Sequence, residues 1–204
     1  MSLAESTVFI VDDDPSICAA LARLFKSVGL PARSFAGPRD FLDQAPQLGP
    51  GCLVLDMRLP GLSGLDLQEE LARAGIRLPV IFLTAHGSVP LSVKAMKAGA
   101  ADFLEKPVED QTLLDAVYQA LERDRQARRA QAQRQALQEH FATLTPRERQ
   151  VFEMVVTGKL NKVIAFDLGT VEKTIKVHRA NLMHKLNCGS LAELVRLAQE
   201  LEVK

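Results

Sequence analysis

The sequence predicts an α/β domain with a doubly wound, five-stranded parallel sheet, joined by a long helix to a small all-α helix-turn-helix domain. Three observations carry this. Short apolar runs alternate with amphipathic segments through the first ~120 residues. A charged stretch without Gly or Pro follows, and from Thr145 the pattern is helical throughout.

The strand candidates are Val8–Val11, Cys52–Leu55, Val80–Leu83 and Asp102–Leu104, with Pro31–Phe35 a weaker fifth. Between them Ile17, Leu21, Leu24 and Phe25 recur at helical spacing. So do Leu65, Leu67 and Leu71, then Val89, Val93, Met96 and Lys97. The short runs read as buried parallel strands and the longer segments as covering helices. Regular alternation of the two gives an open sheet wound on both faces.

Leu113, Leu114, Val117, Tyr118 and Leu121 form the stripe of a further helix. Glu122–Ala136 then lacks large aliphatic and aromatic residues and is rich in Arg, Gln and Ala, good helix formers. One helix is expected from near Glu109 to near His140, with a solvated, charged middle. It would act as a semi-rigid spacer; a disordered linker is the alternative. Leu137 and Phe141 restart the apolar face. The chain thus divides into residues 1–121, a helical linker over 122–143, and residues 144–204.

Thr145-Pro146-Arg147-Glu148 is a helix start: a capping Thr, Pro at the first position and Glu at the third. Gly158 ends that helix. Asn161–Leu168 forms a short helix, Gly169 a tight turn, and Glu172–Leu186 a third helix stopped by Asn187-Cys188-Gly189. Ser190 caps a last helix with Leu191, Leu194, Val195, Leu197, Ala198 and Leu201 on its buried side.

Composition narrows the class. Of the 204 residues 47% are hydrophobic and 25% charged, the balance of an ordinary globular protein. No apolar run reaches the ~18–20 residues that span a bilayer, and Met1–Thr7 shows no leader pattern. A cytoplasmic protein without membrane contact is expected. Cys18, Cys52 and Cys188 are too few and scattered for a disulfide framework or a zinc site. The zero net charge conceals an asymmetry: residues 1–121 carry 10 basic and 15 acidic side chains, residues 145–204 carry 10 and 7. An acidic first part and a basic last part point to different partners.

The polar residues that follow the strands carry the chemistry. Val8–Val11 runs into Asp12-Asp13-Asp14, Leu53–Leu55 into Asp56, Ile81–Leu83 into Thr84, and Phe103–Glu105 into Lys106. In a parallel sheet all of these emerge at one carboxyl edge, where open α/β sheets bind ligands. Three converging carboxylates call for a cation, and oxygen donors with room for water favour Mg²⁺. A metal flanked by Lys and Thr suits phosphoryl transfer. Asp56, alone at a strand end, is the candidate nucleophile. Taken singly, each feature has a plainer reading as a solvated loop, a cap or a turn.

Residues 1–121 resemble the response-regulator receiver domain (flavodoxin- or CheY-like fold) over their full length. The motifs are Val11-Asp12-Asp13-Asp14, Asp56-Met57-Arg58-Leu59-Pro60-Gly61-Leu62-Ser63-Gly64, Thr84-Ala85 and Lys106-Pro107. The resemblance implies that Asp56 accepts a phosphoryl group from a sensor histidine kinase. It implies Mg²⁺ held by Asp13, Asp56 and the backbone carbonyl of Arg58, with Asp12 nearby through water. Thr84 and Lys106 would hold the phosphoryl oxygens, Pro107 would follow a cis bond, and Phe103 would turn inward as Thr84 moves. Added charge at Asp56 would then reshape the surface around Val93, Lys97, Asp102 and Glu105 and favour a homodimer.

The third helix of the basic end places Lys173, Lys176, Arg179, His184 and Lys185 among Ile175, Leu182 and Leu186. An apolar stripe beside basic residues suits a helix packed on its domain and facing phosphates and bases; a plain helical bundle with solvated lysines is the alternative. Residues 144–204 resemble the LuxR-type helix-turn-helix of the FixJ/NarL class, carried by Leu144–Val151, Gly158, Asn161–Ala165, Glu172–Leu182 and Lys185-Leu186. The helical spacer favours the FixJ-like branch. The resemblance implies base contacts from Lys176, Val177 and Ala180, and phosphate contacts from Asn161, Lys162, Lys173, Thr174, Asn181 and Lys185. The last helix would be a dimer surface. Where many relatives carry Ile-Ser this chain has Thr170-Val171, and Val171 cannot cap the recognition helix.

The expected function is a phosphorylation-activated transcriptional regulator that binds double-stranded promoter DNA. RNA polymerase is a further partner such a regulator could meet. Its only catalysis would be self-phosphorylation and slow self-dephosphorylation. An Mg²⁺-dependent phosphohydrolase using the same aspartates is an alternative; it would need a substrate pocket and a separate general acid, and the sequence offers no obvious acid and attaches a DNA reader instead. A phosphorylation-independent scaffold would not need the complete acid set.

Overall fold

A computed structural model describes residues 6–85 and 87–201. It falls into two compact units, one reaching to Arg128 and one beginning at Arg129. Met1–Glu5, part of the segment read for a leader, and residues 202–204, the end of the basic segment, lie outside the described residues.

In the first unit β1 (Thr7–Val11), α1 (Pro15–Ser27), β2 (Ala32–Phe35), α2 (Pro38–Gln44), β3 (Gly51–Leu55), α3 (Gly64–Arg73), β4 (Val80–Thr84), α4 (Val89–Lys97) and β5 (Asp102–Glu105) lead into α5 (Asp110–Ala142). All neighbouring strands pair in parallel, in the order β2-β1-β3-β4-β5. Strand order reverses between β1 and β3, which opens a crevice at their carboxyl ends. The five predicted strands all form, the weak second one at the sheet's edge.

Alternation along the strands makes two cores. Val8, Ile10, Val54 and Ile81 meet Phe25 of α1 and Leu113, Val117 and Leu121 of α5. Phe9, Leu53, Leu55 and Phe82 meet Phe41 of α2 and Leu67 and Leu71 of α3. Phe25, Phe41 and Phe82 are fully buried, and each such side chain contributes roughly 1.5–3 kcal/mol of transfer free energy.

The long helix forms as expected, with one difference. Asp124 lies in its supposedly solvated middle yet is buried. It accepts the Gly51 N–H at 3.0 Å and pairs with Arg128 at 2.8 Å. Contact with the sheet therefore extends α5's attachment past residue 121, to the unit's end at Arg128.

In the second unit Leu137 and Phe141 of α5 pack with α6 (Pro146–Val156), α7 (Asn161–Asp167), α8 (Glu172–Lys185) and α9 (Leu191–Glu200) around Val151, Phe152, Ile164, Ile175, Leu182 and Leu194. Thr145 and Glu148 form the predicted capping box. Gly169, at φ +61°, supplies the left-handed turn between α7 and α8. Ser190 caps α9 by accepting the Glu193 N–H. Leu191, expected on the buried side, is 43% exposed; from Leu194 onward the stripe reaches the core. Among the described residues no helix is long and apolar enough to cross a membrane.

Candidate functional site

The three acids after β1 divide by role. Asp14 caps α1, accepting the Ser16 N–H at 2.7 Å. Asp13 is exposed. Asp12 is buried, and its Oδ1 accepts the Asp14 N–H at 2.9 Å. Asp56 follows β3 and donates its own N–H to the Val11 carbonyl at 2.9 Å, which holds it beside the first acid cluster. Its Oδ2 accepts the Arg58 N–H at 2.8 Å. A Cβ at Gly64 would lie 2.5 Å from the Asp56 carbonyl oxygen, so only glycine lets α3 begin this close to the loop after β3.

Lys106 closes the site from β5. Its backbone N–H donates to the Thr84 carbonyl at 2.8 Å, and its ammonium donates to Asp12 at 2.7 Å and Asp56 at 3.3 Å. Burial disfavours the ammonium. The hydrogen bond and charge of Asp12, followed by those of Asp56, outweigh that and hold the pKa above the ordinary lysine value. The Lys106–Pro107 peptide bond is cis. Thr84 is buried at the end of β4, opposite Glu105 of β5. Phe103 is half-buried, its ring centroid 6.2 Å from that of Phe82.

The structure thus brings Asp12, Asp56 and Lys106 into contact and sets Thr84 at the same edge, with Asp13 and Arg58 exposed at its rim. Lys106 pairs with two of the converging carboxylates, Asp12 and Asp56, and among the described residues no three His, Cys, Asp or Glu side chains form a closed metal cage.

In the second unit α7, the Gly169 turn and α8 form a helix-turn-helix. Ile175 and Leu182 of α8 are buried, while Lys173, Lys176, Val177, Ala180 and Asn181 are exposed and Thr174 is half-buried. Lys162 is exposed on α7. Asn161 accepts from Arg179 at 2.7 Å, which ties the start of α7 to α8. Lys176 pairs with Glu172 at 3.1 Å on the exposed side of α8, a contact easily exchanged for another. Val171 sits at the N-cap of α8 without a side-chain cap. Lys185 does not project freely: it donates to the buried carboxylate of Glu148 at 2.6 Å and to the Thr143 carbonyl at 3.2 Å.

Comparison with known proteins gives the family. The response regulator receiver domain model matches residues 8–118, and the model of bacterial regulatory proteins of the LuxR family matches residues 142–198. Nodulation protein W of Bradyrhizobium diazoefficiens is 49% identical over 98% of this chain and 88% of its own length. The transcriptional regulatory protein FixJ of Azorhizobium caulinodans is 46% identical over 94% of this chain and 90% of its own. The solved response regulator StyR matches with a TM-score of 0.88 at 47% identity, over 96% of this chain and 98% of its own.

The chain belongs to the FixJ-like response regulators.

As a response regulator it joins a receiver to a LuxR-type DNA-binding domain, the architecture of two-component transcription regulators and not of conventional enzymes. Receivers as a class use Mg²⁺ for phosphorylation. At Asp14 the plainer reading of the acid triplet as a helix cap holds. Two features of this regulator have no counterpart in the sequence reading. Glu148 reaches beyond its capping box to Lys185, 37 residues away. Asp124 pairs within its helix and also with Gly51, 73 residues away. The two long-range partners leave no local pattern.

Proposed function

We propose that this response regulator takes a phosphoryl group on Asp56 from a sensor histidine kinase, dimerises, and in that state binds promoter DNA. The observation that carries the reading is the contact of Asp12, Asp56 and Lys106 at the crevice where strand order reverses. An Asp56 oxygen attacks phosphorus; the P–N bond to the kinase histidine breaks as the aspartyl O–P bond forms, and the histidine leaves to take up a proton. Lys106, already cationic between two carboxylates, turns to the phosphoryl oxygens, and the Thr84 hydroxyl donates to another.

The donor set fits Mg²⁺. Asp13, Asp56 and the Arg58 carbonyl would hold it, with Asp12 acting through water; a hard cation that keeps several waters needs no closed protein cage. When bound it neutralises charge on the transferring group. Thr84, once engaged, leaves room for Phe103 to turn inward, followed by Pro107 and its loop. The α4 face, with Val89, Val93 and Met96 exposed beside Lys97, Asp102 and Glu105, then joins a second copy.

In the reader, Lys176, Val177 and Ala180 face base edges, and Lys162, Lys173, Thr174 and Asn181 lie along the phosphates. Asn161 accepts from Arg179 through its Oδ1, which leaves the Nδ2–H of its amide to donate to a phosphate. Lys185 is left to Glu148. α9, with Leu191 exposed, supplies the dimer surface of the DNA-binding halves. RNA polymerase is the partner that converts binding into transcription. A protein that receives phosphate from a kinase and reads promoter DNA works in the cytoplasm.

Beryllofluoride with Mg²⁺ mimics the aspartyl phosphate and should raise the dimer fraction in sedimentation. An unchanged monomer contradicts dimer-based activation.

A further inference from the structure

The two family matches leave residues 119–141 between them. Within that interval lies the most buried acid of α5. Asp124 is 3% exposed, and a carboxylate so placed needs partners for both oxygens. It has them. Oδ2 accepts the Gly51 N–H at 3.0 Å, and Arg128 Nε donates to Oδ2 at 2.8 Å and Oδ1 at 3.0 Å. Arg128 also reaches past the helix and donates to the Gly49 carbonyl at 3.3 Å. Two residues one helical turn apart therefore grip both ends of the short link that enters β3.

The grip falls on a fixed point. A Cβ at Gly51 would lie 2.0 Å from the Thr7 carbonyl oxygen, so no other residue lets β1 and β3 approach here. β3 is buried along its whole length and paired on both sides, to β1 and β4. Its other end runs directly into Asp56. One rigid strand thus carries the acceptor carboxylate at its carboxyl end and the attachment of the interdomain helix at its amino end. Beyond Arg128 the chain passes to the second unit.

We propose that Asp124 and Arg128 are positioning residues which clamp the interdomain helix to the acceptor strand, so that phosphorylation at Asp56 controls the DNA reader only while the clamp is closed. The proposal rests on the function read above. It assigns the clamp no part in the phosphoryl chemistry, since it lies at the opposite end of β3 from Asp56. It also sets the point from which the reader is tethered, at Arg128 and not at the end of the receiver match.

The test uses the full chain and duplexes selected by the acetyl-phosphate-treated wild type. Arg128→Gln removes the fork from a partly exposed side chain; Asp124→Asn keeps an acceptor for Gly51 but loses the charge. Both variants should take label from acetyl phosphate in Mg²⁺ as the wild type does, and bind DNA as it does before treatment. Amide exchange over residues 122–128 should quicken at least tenfold, and the gain in DNA binding on phosphorylation should fall at least fivefold. A full gain in either folded variant overturns the clamp, whether or not exchange quickens. Wild type that takes label yet shows no gain overturns the functional reading, and the clamp's role with it; the wild-type arm separates the two failures.

Discussion

Lys106 donates to Asp12 at 2.7 Å, a shorter contact than the 3.3 Å it makes to Asp56. The cation of the site is thus held chiefly by Asp12 and less by Asp56. Under the proposed phosphorylation Asp56 gives up its share of that contact while Lys106 stays in place for the new phosphoryl oxygens.

The Lys106 pKa lies above the ordinary lysine value, because the attraction of Asp12 and Asp56 outweighs burial. Its contribution to stability is complete below the unfolded value of about 10.4 and disappears only as pH rises through the higher folded value. Acetyl-phosphate labelling should therefore show no limb due to Lys106 between about pH 6.5 and 9.5. A midpoint in that window that is abolished in Lys106→Arg would show that the ammonium is not held as described.

Lys185 gives a prediction opposite to its sequence assignment. Buried Glu148 has its pKa lowered: desolvation opposes this, but Lys185 and the Thr145 hydrogen bonds prevail. The pair's stabilisation is present above the unfolded glutamate value and is lost as pH falls through the lower folded one. Lys185→Ala should destabilise the reader by roughly 1–3 kcal/mol at neutral pH, since it leaves a buried acceptor short of a partner. The loss should shrink in acid melts. DNA affinity should keep its salt slope; a slope shallower by about one returns Lys185 to the phosphate contacts.

Two exposed lysines of α8 separate base from backbone reading. Lys176→Ala should weaken binding to the selected site by about 1–3 kcal/mol and leave random DNA little changed. Lys173→Ala should weaken both alike and reduce the salt slope by about one. Titration of both duplexes at several salt concentrations checks this; equal behaviour of the two variants removes the division.

Local patterns carried most of the fold. The strands, α6 with its Thr145 cap and the Gly169 turn all lie within a residue or two of their sequence positions, because apolar period and cap chemistry are local. The Asp12, Asp56, Thr84 and Lys106 edge was legible because parallel strands bring their carboxyl ends to one side. What escaped was long-range pairing. Asp124 in a run of Arg, Gln and Ala looks solvated until the chain folds Gly51 against it. Lys185, in a basic helix, looks like a phosphate contact until Glu148 is found buried beneath it. The lost cap at Val171 is local and so legible in the sequence: Val171 occupies the N-cap in extended conformation with no side-chain oxygen to offer.

Whether Asp56 is the acceptor is decided by mass mapping after acetyl phosphate and Mg²⁺. One phosphoryl group is expected on the Asp56 peptide of the wild type and none on Asp56→Asn. Equal labelling of the variant at another residue would rule Asp56 out as the acceptor.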